Sequence, residues 1–207
     1  MTLRLFATPT LALVALVVAA CGSPSPSTSS AGSTATTSGS GSSSGSAVAA
    51  GSGGDFAATA TATGDTVPIP GGTMHLIGSW TRESTSTATR AALADPSTPG
   101  ANAQVTSVDA GAANAAQLPL IVGQVKSGIS GAHAGAAVED IAGSRVGGSP
   151  AQGFTFAYTE KNTAIKGEEI VVIAGGKALI LAIGAPADAF AAEVSQFHAM
   201  VDSVVLG

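Results

Sequence analysis

The alternation of aromatic with small or polar residues is clearest near residue 155, where it predicts a β-strand. From Gly153 to Glu160, the residues Phe154, Phe156 and Tyr158 occupy every second position. Successive side chains of a strand point to opposite faces of a sheet. The pattern is therefore typical of a strand that buries one aromatic face.

Two apolar runs follow this segment and predict a β-hairpin. The runs are Glu169–Ile173 and Ala178–Ala185, and the sequence Ala174-Gly175-Gly176-Lys177 joins them. Paired glycines supply the positive φ angles of a type I′ turn, which is a common two-residue hairpin connection. We therefore expect these two runs to pair as antiparallel strands.

The last segment has the periodicity of an amphipathic helix, and Pro186 suits its first turn. Apolar residues then recur at spacings of four, three, four and three residues, at Phe190, Val194, Phe197, Val201 and Val204. We expect this face to pack on the sheet. Gln196 lies about 100° around the helix from Phe197, and we expect its side chain to be exposed.

Weaker patterns upstream predict four more strands. They are expected at Thr66–Ile69, Met74–Trp80, Ala103–Val108 and Glu139–Val146. The first is expected at a sheet edge, because Pro68 cannot donate a hydrogen bond to a central ladder.

A second helix is expected between Gln117 and Gly131, with Pro119 in its first turn. One face of this helix carries Leu118, Ile121, Val122, Val125 and Ile129. The segment Ala88–Ala94 is interpreted as weakly helical and closed by turn signals. A flexible connection is expected over Gly128–Ala137, which contains His133.

Taken in order, these elements predict one α+β domain over residues 64–207. A chain of this length can bury a real core. Strands that follow one another through short links favour a mainly antiparallel β-sheet flanked by helices over a parallel α/β arrangement.

The first 20 residues have the features of an export signal. Arg4 precedes an apolar run, Leu11–Ala20, that is too short to span a bilayer. The sequence Val18-Ala19-Ala20-Cys21 resembles the bacterial lipobox, and this resemblance implies cleavage before Cys21, a diacylglyceryl thioether on Cys21 and usually acylation of its amino group. Two or three acyl chains give durable anchoring. The alternatives are an ordinary secretory signal with an incidental cysteine and a short uncleaved anchor.

Residues 21–63 read as a disordered tether that follows the lipidated cysteine. They consist almost entirely of Ser, Thr, Gly and Ala, which cannot bury a core. A flexible segment of this length spans about 35 Å on average. Because Cys21 is the only cysteine, the domain is held without an intramolecular disulfide.

Charge excludes one class of partner. The chain has eight Lys and Arg residues against thirteen Asp and Glu residues, a formal net charge of −5. A nucleic-acid-binding domain carries a basic patch or stripe, and no such stripe is found here. We therefore expect no nucleic-acid partner, and membrane attachment is expected to depend on the acyl chains.

The histidines and the single tryptophan do not form a recognisable site in the sequence. His75, His133 and His198 lie far apart and lack the spacing of four residues that places two ligands on one helix face. We expect no metal site. His198 is interpreted as a residue at the rim of the last helix, and Trp80 as a packing residue rather than a ligand-stacking one.

Two acidic pairs stand near predicted strand starts, Glu139-Asp140 and Glu168-Glu169. They could bring carboxylates together for acid–base chemistry. The favoured interpretation is a solvated strand edge, because charged residues at edges discourage aggregation.

Several short motifs resemble a known family. They are Arg145-Val146-Gly147-Gly148-Ser149-Pro150-Ala151 before the aromatic strand, Gly175-Gly176 in the hairpin, Ala185-Pro186 before the last helix, Phe197 within it, and Asp202-Ser203 at its end. This pattern resembles the PsbP-like α/β/α sandwich domain over about the last hundred residues. With the lipobox, the chain is similar to the LpqN-type actinobacterial lipoproteins.

The resemblance implies an accessory module that binds a protein or a small ligand and has no shared catalytic constellation. Cys21 is the only functional residue that it carries over. We therefore expect a lipid-anchored envelope protein on the extracytoplasmic face of the cell membrane, without a cofactor, whose domain binds a protein partner or a small apolar ligand. The alternative is an exported hydrolase with an unrecognised serine or carboxylate site.

Overall fold

A computed structural model describes residues 58–207. The predicted signal peptide, Cys21 and most of the predicted tether lie outside these residues, and their interpretation stays a prediction.

The described residues form a large sheet, a small sheet and two α-helices. The strands of the large sheet are β3 (Thr81–Arg82), β4 (Arg90–Ala94), β5 (Asn102–Asp109), β6 (Ala137–Val146), β7 (Ser149–Glu160), β8 (Thr163–Ala174) and β9 (Lys177–Pro186). The small sheet contains β1 (Thr66–Ile69), β2 (Gly72–His75) and β10 (Val205–Leu206). The helices are α1 (Leu118–Ala132), which follows a short 3₁₀ helix at Ala115–Gln117, and α2 (Phe190–Asp202).

All strand pairs in both sheets are antiparallel. The large sheet has the order β3-β4-β5-β9-β8-β7-β6, and the small sheet has the order β1-β2-β10. Antiparallel sheets with two helices make this an α+β fold, as the sequence predicts.

Each face of the large sheet carries its own hydrophobic core. On one face, Phe197 and Val201 of α2 pack with residues of the small sheet and with Ile170 of β8. On the other face, Val122 and the rest of the apolar side of α1 pack against the aromatic residues of β7 and against Val171 of β8. The two helices therefore lie on opposite faces of the large sheet, which we call the α2 face and the α1 face.

The aromatic strand and the hairpin are confirmed. Phe154, Phe156 and Tyr158 of β7 are buried under α1. Strands β8 and β9 pair in register up to Ala174 and Lys177. Gly175 and Gly176 have φ angles of 56° and 74°, as a type I′ turn requires.

The segment interpreted as weakly helical is a strand, and that prediction is wrong. Arg90–Ala94 pairs with β5 along its whole length. Ala91, Ala92 and Leu93 are buried although successive residues of a strand point to opposite faces of the sheet. Sheet pairing and burial of both faces override the helix propensity of a short alanine-rich segment.

Several predicted boundaries also differ. Pro186 ends β9, and α2 begins four residues later at Phe190. Helix α1 extends to Ala132, into the first half of the flexible connection expected at Gly128–Ala137, while β2 ends at His75 instead of reaching Trp80. None of the helices in residues 58–207 is long and apolar enough to cross a membrane.

Residues at the end of the predicted tether contact the domain. Ala62 is only 5% exposed and belongs to the core on the α2 face, against which Ala58 also packs. The hydroxyl groups of Thr59 and Ser195 form a 2.8 Å hydrogen bond. Packed residues thus extend to the N-terminal side of Gly64.

Trp80 is also buried in this core, in agreement with its interpretation as a packing residue. Gln196 is half-buried instead of exposed, and its side-chain amide lies close to Gly78.

Candidate functional site

Two adjacent glutamates of β8 are buried, and their interpretation as a solvated strand edge is wrong. Glu168 is 4% exposed and Glu169 is 0% exposed. Strand β8 begins at Thr163 and pairs with β7 on one side and β9 on the other, so both residues lie in the interior of a central strand. By contrast, Glu139 and Asp140 are exposed on β6, the last strand of the sheet, as expected.

Strand geometry places the two glutamates on opposite faces of the sheet. Successive side chains of a strand alternate between faces. Glu169 shares the α1 face with Val171, and Glu168 shares the α2 face with Ile170. The two carboxyl groups therefore cannot act on one substrate from the same side.

The strand register aligns Glu169 with polar residues of β4 and β5. Ala182 of β9 pairs with Glu169 on one side and with Gln104 of β5 on the other. Thr106, two residues along β5 on the same face, pairs with Arg90 of β4. We call Arg90, Gln104, Thr106 and Glu169 the polar row.

One hydrogen bond links two members of the polar row, and other polar atoms in it remain unpaired. Arg90 Nε donates to Gln104 Oε1 at 3.0 Å. Gln104 Nε2, Thr106 Oγ1 and both carboxyl oxygens of Glu169 are buried without a hydrogen-bond partner in the described part of the chain. Most buried polar atoms in proteins are paired, because burying one without a partner costs several kcal/mol on transfer scales. Four such atoms on one sheet face mark a place where another molecule could supply the partners.

Burial also changes the acidity of Glu169. The loss of solvation raises the pKa of its carboxyl group to about 7, because a low-dielectric environment disfavours the charged form. The group therefore changes charge near neutral pH, and its protonated form donates one hydrogen bond.

Small residues form the floor around Gln104, whereas Ile180 of β9 lies opposite Thr106 on the same face. Ala92, Ala182 and Gly184 lie on the same face as Gln104 by strand register. Helix α1 packs chiefly on β6, β7 and β8, so the end of this face that contains β4 and β5 lies beside the helix instead of beneath it. Arg90 and Thr106 are partly exposed there.

Buried polar groups on the α2 side form hydrogen bonds with one another, although Glu193 Oε2 has no partner among residues 58–207. Glu168 Oε1 lies 2.7 Å from Nε2 of His198 on α2. His198 is therefore a partner of a buried carboxyl group, and its interpretation as a simple rim residue missed this contact. Thr98 Oγ1 donates to Glu193 Oε1 of α2 at 2.6 Å.

Asp95 shows how such pairing changes a carboxyl group. Burial acts to raise the pKa of Asp95, but hydrogen bonds from Ser79 and Ser97 outweigh it and lower the pKa below its ordinary value. Asp95 and Glu169 thus represent a hydrogen-bonded and an unpaired buried carboxyl group in the same domain.

The three histidines occupy separate environments. His75 Nδ1 lies 3.1 Å from Thr66 Oγ1 on the small sheet, and the ring of His133 stacks on Tyr158 with 3.7 Å between ring centroids. Within residues 58–207, no group of three or more His, Cys, Asp or Glu residues is arranged to hold a metal ion.

The outer side of α1 carries a shallow, largely apolar groove of about 510 Å³. It is lined by Pro119, Leu120, Gly123, Gln124, Ser127 and Gly128. Leu120 is 64% exposed. This groove contains neither buried polar groups nor ionisable side chains and is chemically unlike the polar row.

Comparison with known proteins defines the fold. No family model matches the chain, and no curated protein sequence matches it. The structure is similar to cyanobacterial PsbP (CyanoP) from Synechocystis sp. PCC 6803, with 12% identity and a TM-score of 0.52, over 72% of this chain and 95% of that protein. At this identity the similarity establishes a PsbP-like fold and nothing about a ligand.

Two further structures are similar at lower TM-scores. A Bacteroides thetaiotaomicron protein matches with 14% identity and a TM-score of 0.49 over 70% of this chain. The match spans about half of that protein, 48% of its length. LpqN, involved in cell envelope biogenesis of Mycobacterium tuberculosis, matches with 15% identity and a TM-score of 0.44, over 64% of this chain and 81% of LpqN.

Proposed function

We propose that this chain is a lipid-anchored envelope protein of the LpqN type, whose exported domain is a noncatalytic binding module. The anchor is Cys21, and the domain faces the extracytoplasmic side of the cell membrane. The lipobox and the composition of residues 21–57 support the lipid anchor and the proposed location outside the cytoplasm. The PsbP-like fold is compatible with an accessory role.

The observation that carries the binding role is the polar row. Four buried side-chain polar atoms without a hydrogen-bond partner in residues 58–207 lie together in the polar row, and a bound molecule that supplies those partners accounts for their clustering. The groups present are an amide, a hydroxyl, a guanidinium and a carboxyl group, all of which form hydrogen bonds in ligand sites. A purely apolar ligand would leave them unpaired, so we propose that the ligand is at least partly polar.

The hydrolase alternative is less well supported by the geometry. Paired carboxyl groups for acid–base chemistry must face one substrate, whereas Glu168 and Glu169 face opposite sides of the sheet. A binding role does not require Glu168 and Glu169 to face the same side of the sheet.

Two measurements test this function with the purified mature protein. Ligand binding at the polar row is expected to raise the melting temperature, and the increase is expected to disappear in Gln104→Leu. Incubation with ester, peptide and glycoside substrates is expected to give no turnover above the buffer rate. Turnover that is lost in Glu169→Gln would instead establish the hydrolase and overturn the proposal.

A further inference from the structure

The two ends of the polar row have opposite chemical preferences. At one end, the buried carboxyl group of Glu169 has two oxygens without a partner in residues 58–207. At the other end, the Nε2 of Gln104 and the hydroxyl of Thr106 are buried and have no partner in the described part of the chain, and the guanidinium of Arg90 lies beside them. A carboxylate in an apolar environment is stabilised by a cation, whereas amide N–H groups and a guanidinium are stabilised by an anion.

The strand register sets the distance between these ends. Gln104 and Glu169 are separated by a single strand, with Ala182 between them. Adjacent strands lie about 4.8 Å apart and side chains stand nearly perpendicular to the sheet, so the two functional groups are about 10 Å apart. Subtracting one hydrogen bond of about 3 Å at each end leaves about 4 Å between the ligand atoms that would contact them.

We propose that the polar row binds a short zwitterion, an amino acid with a free ammonium group and a free carboxylate. The ammonium group contacts Glu169, and the carboxylate accepts hydrogen bonds from Gln104, Thr106 and Arg90. This inference rests on the proposed binding function and names its ligand class. The ammonium nitrogen and carboxylate oxygens of a short amino acid are separated by a few ångströms, which matches the gap between the two ends.

The surroundings of the row fit a small ligand with little bulk. Ala182 keeps the floor low between Gln104 and Glu169, and Gly184 is the next residue of β9 on the same face. Phe154 pairs with Glu169 from β7, and the ring of Phe156 lies over Gly167, where any side chain would collide with it. These aromatic rings wall the carboxyl end of the row, and an ammonium group is also attracted to aromatic faces.

The route of entry follows from the same arrangement. Glu169 is fully buried, whereas Arg90 and Thr106 are partly exposed. A ligand therefore enters from the β4–β5 side, beside α1, and passes its ammonium group inward. Once bound, the ligand supplies a partner to each of the four unpaired polar atoms.

The test measures binding of a small set of probes to the purified mature protein by calorimetry. The zwitterionic probes are glycine, β-alanine and γ-aminobutyrate, and the matched probes are propylamine, propionate and decanoate. We expect one zwitterion to bind at least tenfold more tightly than propylamine or propionate, because each of these probes satisfies one end only.

Two variants and one control locate the bound molecule. Glu169→Gln preserves the shape of the side chain and removes its charge, and we expect it to weaken zwitterion binding by at least tenfold. Arg90→Gln is expected to weaken it as well. Glu139→Gln, an exposed acid on the edge strand β6, is expected to leave binding unchanged.

The possible results separate this inference from the function on which it rests. Preferential binding of decanoate, lost in Gln104→Leu, would overturn the zwitterion proposal and leave the binding module intact. No binding by any zwitterion, or zwitterion binding that Glu169→Gln leaves unchanged, would also overturn it. Chemical turnover of any probe would overturn the proposed noncatalytic function itself.

Discussion

A carboxyl group that is buried without a hydrogen-bond partner holds its proton more tightly than a solvated one. The pKa of Glu169 is raised from an ordinary value of 4.5 to about 7 by burial. Between these two values the folded protein keeps a proton that the unfolded chain has released. The contribution of Glu169 to stability is therefore fully present below about pH 4.5 and is lost as the pH rises through 7.

The raised pKa of Glu169 predicts how the stability of the protein depends on pH. Between pH 5 and pH 8, Glu169 is expected to lower the free energy of unfolding by roughly 3 kcal/mol. Glu169→Gln cannot ionise, so its free energy of unfolding is expected to fall less over the same range and to exceed that of the wild-type protein at pH 8. Urea unfolding of both proteins at several pH values, with Glu139→Gln as the exposed control, measures the difference. Parallel pH profiles for the wild type and Glu169→Gln would contradict the burial of an unpaired carboxyl group.

Single residues of the polar row were not predictable from the sequence. The alternation in Ala103–Val108 predicts that Gln104 and Thr106 lie on one face of a strand. Their alignment with Glu169 depends on β9, which is inserted between β5 and β8 although it follows both in the chain. The place of Arg90 on this sheet face was not predicted either, because its segment was interpreted as helical. A site assembled from strands distant in sequence leaves no local motif.

At the scale of elements, the β8–β9 hairpin depends on its glycine turn. Gly175 has a φ of 56°, and a side chain there would meet no atom within 4 Å, so a substitution adds backbone strain without a clash. Gly175→Val is expected to lower the free energy of unfolding by about 1–2 kcal/mol, because a β-branched residue disfavours positive φ. Gly175→Asn is the matched control, since asparagine tolerates this conformation. Denaturant unfolding compares the two, and equal losses would show that backbone strain is not the cause.

The packing of α2 on the sheet gives a second prediction at this scale. Phe197 is fully buried in the core on the α2 face, and Phe197→Ala is expected to cost about 3–5 kcal/mol through lost burial and the cavity that remains. Leu120→Ala removes an apolar side chain that is 64% exposed and is expected to change stability by less than about 0.5 kcal/mol. Thermal and denaturant unfolding measure both variants. Small and similar losses would mean that α2 does not pack in this way.

Elements with a strong period were predictable, and elements defined by pairing were not. The aromatic period of β7, the paired glycines and the stripe that includes Phe197 and Val201 each specify a local structure. In β4, by contrast, consecutive apolar residues are buried on both faces, so the segment shows no alternation. Its strand conformation is set by β5, which lies outside any local window.

At the scale of the whole molecule, attachment to the membrane is proposed to depend on Cys21. Replacing it with serine removes the thiol that would form the thioether. Cys21→Ser is therefore expected to yield an unprocessed or aberrantly cleaved precursor without the acyl mass, as measured by intact mass spectrometry of the membrane and soluble fractions. Detection of the same acyl mass on the serine variant would contradict lipidation at this residue.

The division between tether and domain can be tested with two proteases of different specificity. No Lys or Arg occurs between Arg4 and Arg82, so trypsin, which requires a basic residue, has no site in the tether. Elastase accepts small side chains, which make up most of residues 21–57, and exposed segments of this kind are preferred cleavage sites.

Elastase is therefore expected to cut the mature protein first in the tether and to release a folded fragment. Because Ala62 is buried and Thr59 is hydrogen-bonded to Ser195, the new N-terminus is expected to lie before Thr59 and not at Gly64. Trypsin under the same conditions is expected to act more slowly, since its sites lie within the folded domain. N-terminal sequencing and intact mass identify the fragments. First elastase cuts beyond Ala62, or rapid tryptic cleavage after Lys126 or Arg145, would place the boundary of the domain elsewhere.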